Sequence, residues 1–455
     1  MLFSSLTFLL YFLPIVILVH YILPKKLQNA FLLLASLVFY AWGDAKQVPL
    51  FSILLLSNWG LGLWIDRMQT PLHRRLVLTL GLVIDFGALV FYKYTGFIME
   101  TLGLQNSFTA GLTLPLGISF FTFQAAAYLV DVYRRQTPPE KSFVSFGAFL
   151  FLFPQLIAGP IIRYSDMSEA LHSKRRPSAK LLESGMALLV AGLASKVLLA
   201  NPIGEAFERL RAVALETDAL CAWVALAASV MQVYFDFMGY SVMAIGLGRM
   251  LGFNFTRNFD FPLIAKSIAE FWRRWHMTLT VWFRDYVYFP LGGSRKGQVR
   301  TVLNLAIVWG LTGLWHGASW NYLLWGLWYA VFIVAEKYTV KLRSRLPGWV
   351  QHGFTIVALL LGWVLIIYEG MGNYIPYMRT LFSFKVSAES LFWLREYAVV
   401  LVLGIVFSVP WVINSLKSLC RKYTWLRTMV MLGALLLCIA SLVKSSYNPF
   451  IYFRF

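Results

Sequence analysis

Apolar runs of roughly 17–25 residues recur along this chain, each long enough as a helix to cross a hydrocarbon core of ~30 Å. They fall at 3–23, 28–43, 48–65, 76–98, 113–132, 181–200, 217–238, 350–368, 394–415 and 426–444. Two further stretches, 142–162 and 301–336, are apolar but irregular. The pattern predicts an all-α, polytopic integral membrane protein with about 10–12 spans, supplemented by re-entrant and interfacial helices. The first run is too long and too aromatic for the apolar region of a signal peptide, and it lacks a basic leader and a small-residue cleavage site. It reads as a retained span.

Composition agrees with the pattern. Hydrophobic residues make up 59% of the chain and charged residues 13%, too few charges to clothe a soluble protein of this length. Lys and Arg number 40 against 21 Asp and Glu, a formal +19. The basic residues sit in short loops between apolar runs, which reads as a topology signal rather than a nucleic-acid face. Lys25/Lys26, Arg67 with Arg74/Arg75, Arg134/Arg135, Lys174–Arg176 with Lys180, Arg295/Lys296, Lys337 to Arg345 and Lys417 to Arg427 are assigned to the cytoplasmic side. The loops 99–112, 201–216 and 370–393 then fall outside, with both termini. The segments 142–162 and 301–336 start and end at basic loops, so each should dip into the membrane and return. No internal repeat or long linker divides the chain. It is treated as one domain, with N-terminal spans (1–141), a core of re-entrant and interfacial helices (142–345), C-terminal spans (346–444) and an external tail (445–455).

The apex of the second returning segment reads Gly313-Leu314-Trp315-His316-Gly317-Ala318-Ser319-Trp320. The arm Val302–Trp315 would rise roughly 21 Å as a helix, ending inside the core. An imidazole at that depth is costly unless it lines a hydrated cavity or has a partner, so His316 is either tied to a neighbouring helix or functional. A neutral imidazole suits removal of a proton from a hydroxyl nucleophile, which makes His316 the first candidate. A second cluster runs Phe271-Trp272-Arg273-Arg274-Trp275-His276 and on to Trp282-Phe283-Arg284-Asp285-Tyr286. As one helix it puts Trp272, His276, Leu279 and Phe283 on one stripe and Lys266, Glu270 and Arg274 on another. That is an amphipathic interfacial helix whose Arg273 and Arg274 either anchor to headgroups or hold a phosphorylated donor. Asp236, in or near a span, could orient a histidine or pair with an arginine, and Gly239 with Gly246 and Gly248 would permit close helix packing. Pro154 and Gly159 break the first returning segment. The cysteines Cys221, Cys420 and Cys438 show no paired spacing, and no metal-ligand pair, phosphate loop, serine elbow or carboxylate dyad is present, so no metal site is expected.

These same segments carry a family resemblance. Leu-Ile-Ala-Gly-Pro-Ile-Ile-Arg (156–163), Tyr-Phe-Asp-Phe-Met-Gly-Tyr-Ser (234–241), Phe-Trp-Arg-Arg-Trp-His (271–276), Phe-Arg-Asp-Tyr-Val-Tyr (283–288) and Gly-Leu-Trp-His-Gly-Ala (313–318) resemble the membrane-bound O-acyltransferases, in the branch of the bacterial alginate O-acetylases. The resemblance implies a helical funnel with a thin waist, His316 as catalytic histidine and His276 as the family's second histidine; Trp272, Trp315 and Asp236 join Arg273 and Arg274 as candidate donor-binding residues. It further implies an acetyl donor on the cytoplasmic side (acetyl-CoA), a polysaccharide acceptor system outside, an extracytoplasmic SGNH-type acetyltransferase partner, and residence in the bacterial cytoplasmic (inner) membrane. Two departures bear on the substrate. Val242 stands where alginate-type relatives commonly carry Asp, and Ile367-Tyr368 where many have Phe-Arg.

The tail Pro449-Phe450-Ile451-Tyr452-Phe453-Arg454-Phe455 is similar to the end of the small partner peptide of teichoic-acid D-alanylation. Tyr452 is either an acetyl relay or part of an aromatic interfacial anchor. Two competing classes make separate predictions. A proton-coupled transporter or flippase would move substrate without consuming a donor. A silent membrane scaffold for an external enzyme would tolerate loss of His316.

Overall fold

The computed structural model describes residues 1–157, 159–214, 218–367 and 371–444. Among the described residues every regular element is helical. Seven helical stretches are long and apolar enough to cross a membrane, and two shorter apolar helices join them at Phe8–Ile22 and Ile118–Tyr133. The helices group into two compact units, residues 1–189 with 241–256, and residues 190–240 with 257–455.

In the first unit, α1 (Leu13–Ile22) continues a π-helical turn at Phe8–Phe12 and stops at Leu23, whose backbone is extended before Pro24. α2 (Lys25–Asp44) and α3 (Val48–Arg67) follow. α4 (Pro71–Thr101) has proline in its first turn and the Thr70 hydroxyl accepting from the His73 N–H. α5 (Ile118–Tyr133) is buried along almost its whole length, more core helix than lipid-facing span. The Arg74 guanidinium ties α4 to its end, donating to the Val132 and Tyr133 carbonyls at 3.2 and 2.8 Å. The stretch 142–162 is interrupted as expected: α6 (Phe143–Leu150), a single turn at Phe153–Leu156, then extended backbone. α7 (Tyr164–His172) and α8 (Ala179–Ala194) complete the chain order here.

α8 runs through a π-helical turn (Ser195–Ala200) into α9 (Asn201–Ala214), where the sequence predicted a loop at 201–216. Ile203, Phe207 and Leu210 explain the difference: buried at helical spacing, they make α9 an amphipathic helix. α10 (Ala219–Met250) overruns the expected 217–238 by a further three turns. Its glycines work as predicted, since a Cβ at Gly239 would meet the Gly192 carbonyl oxygen and one at Gly246 that of Gly185.

The second unit continues with α11 (Ile268–Arg274), α12 (Met277–Phe283), α13 (Gln298–His316), α14 (Trp320–Tyr338), α15 (Gly348–Ile367) and α16 (Tyr374–Leu381). It closes with α17 (Ala388–Phe407), α18 (Pro410–Lys422) and α19 (Thr424–Lys444). The expected span 394–415 is therefore two helices. Val409 is extended before Pro410, which ends α17, and α18 is an amphipathic helix carrying Lys417, Arg421 and Lys422. Tyr452 lies outside the described residues.

Candidate active site

The predicted hairpin exists. α13 and α14 run back to back, joined by the short turn Gly317–Ser319. A Cβ at Gly313 would collide with the Tyr322 carbonyl oxygen, and one at Gly326 with that of Trp309, so two glycines set how closely the arms approach. The first arm is longer than expected. It begins at Gln298 and has 19 residues, which as an α-helix is ~28 Å. His316 is its last residue, 6% exposed.

Aromatic rings enclose that imidazole. Trp315 and Trp325 stand edge-on at centroid distances of 4.9 and 5.0 Å. A cavity of ≈ 20 Å³, room for about one water molecule, is lined by His316 with Trp275, Tyr322, Trp325, Trp363 and neighbouring aliphatic side chains.

The second histidine is placed differently from expectation. No continuous helix carries Trp272 through Phe283. The chain leaves α11 at Trp275, and His276 takes a left-handed conformation (φ 44°, ψ 53°) before α12 begins at Met277. Two main-chain hydrogen bonds to the irregular stretch before α11 hold the break: Asp260 N–H to the Arg274 carbonyl and Met277 N–H to the Asn258 carbonyl, each 2.9 Å. The start of α11 is capped twice. The Ser267 hydroxyl accepts from the Glu270 N–H, and the Glu336 carboxylate on α14 accepts from the Ile268 and Ala269 N–H groups at 2.7 and 3.0 Å.

Despite the break, Trp272, His276, Leu279 and Phe283 still share one surface. They line a cavity of ≈ 180 Å³ together with Arg284, Tyr288, Trp309 and Thr312 among others. His276 is 1% exposed, and its Nδ1 lies 3.2 Å from the Asn258 Oδ1. Trp315 packs against both histidines, 5.8 Å from the His276 ring and 4.9 Å from that of His316. Trp272 packs on Trp309 and Trp325 at 5.0 and 5.5 Å, and its buried indole N–H makes no hydrogen bond among the described residues. Each histidine thus lines its own cavity, a roomy one at His276 and a tight one at His316.

The other candidates divide. Trp272 lines the His276 cavity, and Trp315 packs against both histidine rings. Asp236 forms a buried ion pair with Lys196 at 2.8 Å, a lysine rather than the arginine foreseen as its structural partner. Arg274 is engaged by Glu270 at 3.0 Å and Asp260 at 3.5 Å, while Arg273 is exposed. The arginine that lines a cavity is Arg284, paired with Asp285 at 2.7 Å. Glu270 is partly buried, which would raise its carboxyl, but the Lys266 N–H and then Arg274 outweigh burial and hold it below the usual range. Among the described residues no cluster of His, Cys, Asp and Glu could hold a metal ion.

Sequence reasoning missed Asn258, Glu336, Trp325 and Trp363. Only Asn258 and Glu336 left a trace, as polar residues beside apolar segments. The two tryptophans were lost among 17 in the chain.

Comparison with known proteins points one way. The profile described as MBOAT, membrane-bound O-acyltransferase family, matches residues 132–368. The chain is 35% identical over 491 aligned positions to the probable alginate O-acetylase of Pseudomonas putida, covering 100% of both chains. It is 33% identical to the peptidoglycan O-acetyltransferase of Helicobacter pylori, covering 80% of this chain and 76% of that one. Similarity extends to the teichoic acid D-alanyltransferase of Streptococcus thermophilus, at 30% identity over 52% of this chain and 60% of that protein.

Proposed function

This chain belongs to the membrane-bound O-acyltransferase family and is a multi-pass membrane acyltransferase, and from that premise we propose that it O-acetylates an envelope or secreted polysaccharide. The observation that carries the proposal is the pair of buried histidines, each lining a cavity and both packed against Trp315. The acetyl donor is a thioester, acetyl-CoA, reaching the His276 cavity from the side of the basic loops, with Arg284 the arginine best placed to meet its charge. Supporting the acceptor class are the relatives named for alginate and for peptidoglycan acetylation. The membrane is the bacterial inner membrane, both termini lie on its outer side, and an extracytoplasmic acetyltransferase takes the acetyl group onward.

In the proposed step, His316 accepts the proton of a hydroxyl as its oxygen attacks the thioester carbonyl. The C–O bond forms, negative charge gathers on the carbonyl oxygen, and the Trp272 indole N–H is a buried donor suited to meet it. Collapse breaks the C–S bond, and His316 returns its proton to the departing thiolate. The aromatic rings packed around His316 would keep bulk water from its imidazole. The attacking hydroxyl belongs to the glycan or to Tyr452 acting as a relay.

The test is acetyl transfer by the purified protein in nanodiscs from radiolabelled acetyl-CoA. His316→Ala is expected to lose roughly 10²–10⁴-fold in rate. Hydroxylamine-labile label that is lost in both His316→Ala and Tyr452→Phe supports the tyrosine relay. Label lost in His316→Ala alone moves the acceptor to another group and returns Tyr452 to an anchor. Donor consumption unchanged in His316→Ala contradicts the catalytic assignment.

A further inference from the structure

We propose that Asn258 is a positioning residue of this site, which fixes His276 as the Nδ1–H tautomer and anchors the left-handed turn that carries it. Asn258 is fully buried and meets the His276 turn at four points. Its main-chain oxygen accepts the Met277 N–H at 2.9 Å. Its side-chain oxygen accepts the Thr278 N–H at 3.1 Å and the Thr278 hydroxyl at 3.0 Å, and it faces His276 Nδ1 at 3.2 Å.

The orientation of the carboxamide follows from one of these contacts. A backbone N–H can only donate, so the atom opposite Thr278 N is the oxygen; turned over, the amide would set its NH₂ against that donor. An oxygen has no proton to give. His276 Nδ1 therefore carries the hydrogen, and in the neutral ring Nε2 is left as the acceptor. The same carboxamide thus dictates both the backbone of residues 276–278 and the protonation pattern of the ring. His276 then enters the ≈ 180 Å³ cavity as a proton acceptor at Nε2, which separates it from the role of oxyanion donor.

The tautomer stands on geometry alone, and the catalytic consequence rests on the acyl-transfer reading above. Nitrogen NMR on histidine-labelled protein in nanodiscs, with the His276 signals assigned by loss in His276→Gln, reads the tautomer directly. Wild type should show Nδ1 protonated and Nε2 bare, and Asn258→Ala should show a mixture. An Nε2–H ring in wild type overturns the proposal.

Kinetically, Asn258→Ala should lower kcat about 10–100-fold with little change in donor KM, the scale seen when a residue orienting a histidine is lost. Added to His276→Gln, it should cost less than about twofold more, since Asn258 acts through that ring. Full multiplication of the two losses would show a merely structural residue and overturn the positioning role. Asn258→Asp keeps the acceptor for Met277 and Thr278, so it guards against misfolding as the explanation. Its carboxylate favours the imidazolium, so the acid limb of kcat should move to higher pH; an unmoved limb counts against the proposal. Undiminished transfer by His276→Gln, with the Nδ1–H signature intact in wild type, overturns the catalytic half and with it the proposed role of His276, while the tautomer stands.

Discussion

His276 occupies a backbone conformation that few side chains accept. At φ 44° a Cβ crowds the following carbonyl, a cost of roughly 1–2 kcal/mol that Asn tolerates better than a branched residue does. His276→Asn should therefore fold near the wild-type level, while His276→Val should lower the melting temperature in detergent. Equal stability of the two variants would mean the turn is not held as described. A second expectation concerns the Lys196–Asp236 pair, 2.8 Å apart with both side chains buried. Asp236→Asn removes the counter-charge of the buried lysine, whose amine also donates to the Asn201 Oδ1 at 2.9 Å, costing about 3–5 kcal/mol, and Lys196→Met in the same chain should recover most of it. At this scale the sequence was legible for residue type and opaque for geometry. His316 and His276 stood out because ionisable groups are rare in apolar runs, whereas Trp325 and Trp363 did not stand out among 17 tryptophans. The left-handed turn at His276 did not, because no glycine or asparagine marks it. Its cause is a set of hydrogen bonds to Asn258 and Asp260, about 15 residues upstream.

Elements show the same division. Long apolar helices were readable from pattern alone, since hydrocarbon thickness sets their length. Short elements were not. The helix expected across Trp272–Phe283 breaks in two, yet its predicted stripe survives because both halves face one cavity. The α11 half depends on an acceptor from another element. Glu336 on α14 receives two of its orphan N–H groups and joins it to the arm that follows His316. Glu336→Ala should depress transfer and cost about 1.5–3 kcal/mol of stability, measured by thermal unfolding in nanodiscs, with Glu336→Gln intermediate. The first turn of α11 has its own pH signature. Glu270 is held below its ordinary range, so its contribution is complete above that range and lost as pH falls through its depressed native one. Wild type should accordingly lose stability faster than Glu270→Gln on acidification below about pH 4.5. Parallel curves would deny the tie between Glu270, Lys266 and Arg274.

For the whole molecule, the proposed orientation turns the basic loops to the cytoplasm and the chain's ends to the other side. That assignment, with a donor on one side and a glycan on the other, gives the proposed reaction a direction. It also separates the acyltransferase from a silent scaffold, which would need the same spans but not the same histidines. Neither the direction nor the acceptor could be read from the helices themselves, because length and apolarity say that a segment crosses and not which way. The most direct measurement uses sealed proteoliposomes of known orientation, with acetyl-CoA supplied only on the face of the basic loops and the acceptor only on the opposite face. Ester appearing on the acceptor side with wild type, and falling at least 10²-fold with His316→Ala, is the predicted result. Ester formed equally well by His316→Ala, or formed only where donor and acceptor share a compartment, would contradict acetyl transfer across the membrane through this site.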